Sequence, residues 1–198
     1  MYRKFYSLEK KPFDLTPDGN ILYLSEAHRE GIATLRYGVI ADKGFLMLTG
    51  GVGTGKTTMI NTLLPMLKNK VRICVLNNPK LNKHEFFHYL AKKLKIRFSG
   101  NKSTFILEFS KLLHECENKG EKILLIIDEA QVFPVPLMEE IRLLSNHAGA
   151  RNVLSIFLIG QPELQDILAN PRLLPLRQRI GLHYHLPELT KKDTAQYI

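Results

Sequence analysis

A three-layer α/β fold built on a parallel sheet is the class this sequence predicts, and three observations predict it. Short apolar runs alternate with helix-like segments from residue 45 to the end of the chain. The run Phe45-Leu46-Met47-Leu48 opens directly onto the glycine-rich string Gly50-Gly51-Val52-Gly53-Thr54-Gly55-Lys56-Thr57. A further run, Ile123-Leu124-Leu125-Ile126-Ile127, ends on two carboxylates, Asp128 and Glu129. Runs that are apolar at every position belong to strands buried on both faces, so helices must lie above and below the sheet.

Residues 1–43 read as a leader, broken by Pro12, Pro17 and Gly19, followed by a helix from Ser25 to Ile40. Ser25 is its predicted N-cap, with His28 where a capping box would place Glu. Strand and helix signals then follow in turn: strand 45–49, helix 56–68, strand 71–76, helix 82–95, helix 103–118, strand 122–127 and helix 135–147. Strand 153–159, helix 162–170, strand 180–186 and a helix from 190 complete the order, which requires five parallel strands. Turn-favouring residues punctuate it at 77–79, 99–101, 118–120 and 148–152. The strand before the glycine-rich loop and the strand before Asp128 are expected to be neighbours or to have one strand between them.

Residues 50–57 fit G-x-x-x-x-G-K-[ST], a loop that wraps a phosphate chain with backbone N–H groups. Glycine is needed there because it adopts the required turns without a Cβ clash. Gly50, Gly51, Val52, Gly53, Thr54, Gly55, Lys56, Thr57 and Thr58 are therefore the candidate ATP-binding residues. Lys56 is expected to reach the β- and γ-phosphates, and the Thr57 hydroxyl to bind Mg²⁺ at the positive end of the following helix. Asp128 would share the Mg²⁺ through its water shell, and Glu129 would polarise the attacking water. Either motif alone has a bland reading, a glycine-rich turn or a solvated strand end; together they predict a P-loop nucleoside triphosphatase. A dinucleotide-binding G-x-G-x-x-G is absent from the loop, which argues against a nicotinamide-dependent dehydrogenase.

The 198 residues suffice for one full core. Two cysteines without a Cys-x-x-Cys pairing read as reduced thiols, and the chain carries neither a signal-peptide pattern nor a run of about 20 apolar residues. The expected location is the cytoplasm. A net charge of +9 permits attraction to nucleic acid, anionic lipid or an acidic partner without choosing among them.

Several longer strings resemble the AAA+ ATPases of the ExeA/GspA general secretion pathway family, which includes MshM-type pilus biogenesis proteins and is close to the transposition ATPases TniB and TnsC. They are Tyr6-Ser7-Leu8, Pro12-Phe13-Asp14-Leu15-Thr16-Pro17-Asp18, Leu22-Tyr23-Leu24-Ser25, Gly44 to Gly50, Leu125 to Gln131, Arg142-Leu143-Leu144-Ser145-Asn146, Gly160-Gln161-Pro162-Glu163-Leu164 and Leu176-Arg177-Gln178-Arg179-Ile180. The resemblance spans the chain. It departs at Gly51, where the family has Glu, and at His147-Ala148, where the family continues Leu-Glu. The first change leaves the phosphate cradle intact; the second puts in doubt any partner contact made by that helix end.

The resemblance implies an AAA+ core at residues 44–189, completed by 1–43, with 190–198 as the start of a truncated helical lid. A lid, a membrane span and a wall-binding region would belong to a longer protein, placing it in the cytoplasm at the inner membrane face. It also implies a homo-oligomeric ring in which Arg179, or Arg177 beside it, reaches the γ-phosphate held by a neighbouring subunit; a basic strand edge is the alternative for both. Gln161 occupies the place of a polar sensor that faces the γ-phosphate, or else forms a helix-capping turn. Adenine is expected near Leu22, Tyr23 and the helix after Ser25.

Other motifs are explained more simply. His84-Glu85-Phe86-Phe87-His88 matches the H-E-x-x-H zinc signature, yet on a sheet-covering helix Phe86, Phe87 and Leu90 would be core, with the histidines on the wetter side. His183 and His185 share one strand face, and residues 92–97 form a basic stretch at a helix end. The function expected is an ATPase that assembles or remodels a secretin or pilus system. The alternatives are a DNA-dependent transposition-type ATPase and a nucleotide-gated scaffold with little turnover.

Overall fold

The computed structural model describes residues 23–67, 70–77, 80–147 and 153–197. The leader strings at 6–8 and 12–18, Leu22 and the loop 148–152 lie outside them. In chain order the elements are α1 (Glu26–Ile40), β1 (Phe45–Gly50), α2 (Lys56–Leu67), β2 (Val71–Leu76), α3 (Lys83–Leu94), α4 (Lys102–Lys119) and β3 (Lys122–Ile127). There follow α5 (Val135–Ser145), β4 (Leu154–Gly160), α6 (Leu164–Leu168), α7 (Leu174–Arg177), β5 (Ile180–Leu186) and α8 (Lys191–Tyr197).

The five strands form one parallel sheet in the order β2-β3-β4-β1-β5. β4 separates β1 from β3, so the glycine-rich loop and the acidic strand end emerge from the same edge with one strand between them. The expectation of five parallel strands covered on both faces is met, and the alternation of side chains shows why the central strands carry consecutive apolar residues. Phe45 and Met47 of β1, with Leu125 and Ile127 of β3, face a core that includes Phe86, Phe105, Phe109 and Ile141 from α3, α4 and α5. Leu46 and Leu48, with Leu124 and Ile126, face a second core made with Leu35, Met59 and Leu63 from α1 and α2. Each fully buried leucine or phenylalanine contributes roughly 1.5–3 kcal/mol.

Close approach of α1 to the sheet depends on glycine. A Cβ at Gly38 would sit 1.9 Å from Leu46 Cδ2, and Leu46 is itself fully buried. At the sheet edge, β5 buries Leu182 and Tyr184 partly beneath α1, while His183 and His185 lie on the opposite, exposed face. Both imidazoles meet the buried Thr49 hydroxyl, at 2.8 Å from His183 Nε2 and 3.0 Å from His185 Nδ1.

Two helices differ from expectation by two residues or more at an end. The helix read as 135–147 ends at Ser145, and the segment read as helix 162–170 is a short turn of helix, Leu164–Leu168. A 3₁₀ turn, Pro171–Leu173, and α7 then precede β5. Pro171 and Pro175 each occupy a first helical turn, where a missing N–H costs nothing.

Candidate nucleotide site

The glycine-rich loop leaves the carboxyl end of β1 and delivers the chain into α2. Gly53 and Gly55 hold φ values of +78° and +92°, conformations that a side chain resists. Thr54 is buried and its hydroxyl donates to the Gly51 carbonyl at 2.9 Å, which closes the loop on itself. Gly50 is packed tightly, since a Cβ there would fall 2.8 Å from the Leu186 carbonyl, whereas Val52 and Gly53 line the open side. Lys56 is the first residue of α2, and its Nζ donates to the carbonyls of Gly50 and Gly51 at 2.8 Å each. Thr57 is exposed beside it and Thr58 half-buried. No acidic residue lies in the first turn of α2, so its positive end is free of a competing carboxylate.

Asp128 follows β3 directly. Its N–H donates to the Leu76 carbonyl at 3.1 Å and its Oδ1 accepts the Glu129 N–H at 3.0 Å. Burial raises its carboxyl above the usual carboxylate range, helped by the Glu129 charge and opposed by the Glu129 N–H and the Lys56 ammonium. The strand order sets Lys56 and Asp128 beyond the carboxyl ends of β1 and β3, with β4 between them. Glu129 adopts a left-handed backbone, φ 52° and ψ 42°, which costs a non-glycine residue on the order of 1–2 kcal/mol. The strained turn carries its side chain to the exposed rim.

Gly-rich cradle, lysine, hydroxyl and carboxylate fit a Mg²⁺-bound triphosphate. The space over Gly53 is open, and in such a complex Lys56 would supply positive charge and Thr57 with Asp128 the hard oxygen ligands that Mg²⁺ prefers.

Two residues at the site were not among those the sequence predicted for it. His28, from the first turn of α1, is 5% exposed; its Nδ1 lies 2.7 Å from Ser25 Oγ and its Nε2 lies 2.9 Å from the Thr54 carbonyl oxygen. The Ser25 hydroxyl also accepts the His28 N–H at 3.4 Å, as an N-cap should. Gln131, just after the acidic pair, donates through Nε2 to Glu129 Oε2 at 2.5 Å and accepts the Gln161 N–H on Oε1 at 3.2 Å. Gln161 follows β4 at the same sheet edge as the loop, and its carbonyl accepts the Leu164 N–H at 3.0 Å to begin the turn into α6. That turn is the one expected as the alternative reading of Gln161.

Arg177 and Arg179 lie elsewhere. Ile180 pairs with Phe45, the first residue of β1, so both arginines sit at the amino end of β5, about 17 Å along the strands from the glycine-rich loop. Arg179 Nη1 donates to Ser145 Oγ at 2.6 Å and to the Arg142 carbonyl at 3.2 Å, capping the end of α5. Neither arginine reaches the loop of its own chain. Tyr23, expected near adenine, uses its hydroxyl on α8, 2.8 Å from Gln196 Oε1 and 3.1 Å from Asp193 Oδ1.

The H-E-x-x-H residues are structural. Glu85 closes a capping box with Asn82, and His84 and His88 flank Phe98 with ring centroids 5.5 and 5.9 Å away. Among the described residues no group of three or more His, Cys, Asp or Glu is placed to hold a metal ion, and no helix is long and apolar enough to cross a membrane.

Comparison with known proteins agrees with this geometry. An AAA domain matches residues 40–168. Over its full length the chain is 37% identical to general secretion pathway protein A of Aeromonas hydrophila, and it spans 37% of that protein. Among solved structures it is similar to the Aeropyrum pernix ORC2 protein in its ADPNP–ADP complexes, at 16% identity and a TM-score of 0.68 over 93% of this chain and 53% of the other. Cdc6p of Pyrobaculum aerophilum gives the same identity, 16%, and a TM-score of 0.68, over 92% and 50%. These two likenesses concern the fold. The chain belongs to the AAA domain family, with a P-loop core of the AAA+ type, and within it resembles general secretion pathway protein A.

Proposed function

We propose that this chain is the nucleotide-binding core of an ATPase that uses ATP binding and hydrolysis to assemble or remodel an envelope secretion or pilus system, from the cytoplasmic side of the inner membrane. One observation carries the catalytic half of this reading: Lys56, Thr57, Asp128 and Glu129 emerge from the same edge of one sheet. The likeness to general secretion pathway protein A carries the biological half. Mg²⁺ held by Thr57 and Asp128 would neutralise charge building on the phosphate oxygens. Lys56 turns from the Gly50 and Gly51 carbonyls to the phosphates, and Glu129 accepts a proton from the attacking water. In this reading residues 44–189 are the AAA+ core, completed by 1–43, and residues 190–198 begin a lid.

In a ring, Arg179 of one subunit serves its neighbour, and Arg177 is the alternative. A planar guanidinium matches charge spread over the transferring phosphoryl group, and its location remote from its own loop suits delivery between subunits. The test is Mg²⁺-dependent ATP hydrolysis by the full-length protein. Glu129→Gln should abolish turnover while retaining nucleotide binding; turnover at the wild-type rate removes Glu129 from its role.

A DNA-dependent ATPase is the second reading, favoured by a groove of about 730 Å³ beside β2 whose lining includes Arg72, Lys93, Lys95, Arg97 and Lys111. Two of these cations already pair with carboxylates, Arg72 with Glu121 and Lys111 with Glu108, which weakens its pull on phosphate. Duplex binding that falls steeply with salt would support it, and absence of binding at low ionic strength would remove it.

A further inference from the structure

The contact between His28 and Thr54 does more than bury an imidazole. The Thr54 carbonyl only accepts, so the hydrogen in this 2.9 Å bond belongs to His28 Nε2. In the neutral ring Nδ1 is then an acceptor, and the Ser25 hydroxyl 2.7 Å away is its donor. Both ends of the ring have a partner, and the ring packs so close to the loop that a Cβ on Gly55 would lie 2.8 Å from Nε2.

The Thr54 carbonyl and the Gly55 N–H belong to one peptide unit. No described peptide bond is cis, and in a trans peptide C=O and N–H point in opposite directions. Holding the carbonyl on the α1 side therefore turns the Gly55 N–H to the other side of the loop. Gly55, at φ +92°, has no Cβ to resist rotation of that peptide, so an outside contact is what fixes it. An N–H aimed in advance binds an anion without the cost of reorienting a dipole.

We propose that His28 is a positioning residue for the phosphate-binding loop: by gripping the Thr54 carbonyl it presets the Gly55 N–H toward the phosphates. This rests on the nucleotide reading given above and adds to it a residue outside the G-x-x-x-x-G-K-T string. It also makes the start of α1, through Ser25, part of the phosphate site.

Two substitutions of similar polarity separate positioning from mere packing. In His28→Gln the amide nitrogen takes the place of Nε2 and reaches Thr54; in His28→Asn it takes the place of Nδ1 and reaches only Ser25. Calorimetry with Mg²⁺-ATP, and with inorganic tripolyphosphate as a probe lacking adenine, is read beside the melting temperature of each free protein. His28→Gln should bind both ligands within about threefold of wild type, and His28→Asn about 10- to 100-fold more weakly. Equal affinities for the two variants overturn the positioning role, whatever their melting temperatures. Nitrogen-15 spectra of histidine-labelled wild-type protein give a readout without mutation: a hydrogen on His28 Nε2 is expected, and a ring carrying its hydrogen on Nδ1 alone contradicts the grip on Thr54. Failure of wild-type protein to bind Mg²⁺-ATP contradicts the nucleotide reading itself, a result distinct from either.

Discussion

Gln131 is hydrogen-bonded to Glu129, Nε2 to Oε2, across 2.5 Å. Its other end accepts the Gln161 N–H, so one amide links the acidic strand end of β3 to the end of β4. Glu129 stands on a left-handed residue and would otherwise be an exposed, freely rotating carboxylate. The amide gives it a defined position beside the loop.

Gln131→Leu should therefore lower the ATPase rate of the full-length protein about 10-fold while leaving ATP affinity within about twofold, because positioning is lost but the general base remains. Glu129→Gln should remove at least about 100-fold. Steady-state turnover beside equilibrium binding checks both; a Gln131→Leu protein that turns over at the wild-type rate would show the link to be structural only.

Arg179→Ala in the full-length assembly should reduce turnover by about 10³-fold with ATP binding preserved. Mixing it with Glu129→Gln protein should restore part of the activity, since each mutant subunit supplies what its neighbour lacks. No recovery at any mixing ratio argues against delivery between subunits.

Gly38→Ala should destabilise the fold without touching the site. The added methyl meets Leu46, which is fully buried and cannot retreat, at a cost of about 1–3 kcal/mol that exceeds the helical preference for alanine. Melting should fall by about 2–8 °C. An unchanged melting temperature would mean that α1 lies farther from the sheet.

Glu140 gives a pH dependence with a definite sign. Burial pushes its carboxyl up, but the ammonium groups of Lys102 and Lys83 outweigh that and hold it below its ordinary value of 4.5. Lys83 Nζ lies 3.0 Å from Oε1 and Lys102 Nζ lies 2.5 Å from Oε2, so the ionised form ties α3, α4 and α5 together. A depressed folded pKa stabilises fully above the unfolded value, and this contribution is lost as pH falls through the folded one. Denaturant titrations from neutral pH to below pH 4.5 should show Glu140→Gln less stable by about 1–3 kcal/mol at neutral pH, with the gap closing in acid. A gap that is constant with pH would contradict the ion-pair assignment.

The parallel sheet was legible because burial on both faces leaves a plain mark, runs of consecutive apolar residues such as Phe45 to Leu48 in β1, Ile123 to Ile127 in β3 and Ile156 to Ile159 in β4. The positions of the glycine-rich loop after β1 and the acidic pair after β3 were legible for a similar reason, since each motif is confined to a few consecutive residues. His84 and His88 were placed by periodicity alone, with Phe86, Phe87 and Leu90 turned inward. His28 and Gln131 left no such mark. Their partners Thr54 and Gln161 stand 26 and 30 residues away in the chain, and single polar contacts across loops have no period. The strand order was not legible either, because parallel strands joined by helices can be laid down in several orders with one hydrophobic pattern.

The most direct test of the site is a calorimetric titration of the purified protein with ATP, with and without Mg²⁺, beside Lys56→Ala and Asp128→Ala. A single pocket spanning β1 and β3 predicts saturable binding to the wild type, strong loss in Lys56→Ala, and loss of the Mg²⁺-dependent part in Asp128→Ala. Wild-type protein that takes up no ATP with Mg²⁺ present, or that binds as well without Lys56 as with it, would contradict the assignment of this sheet edge as a triphosphate site.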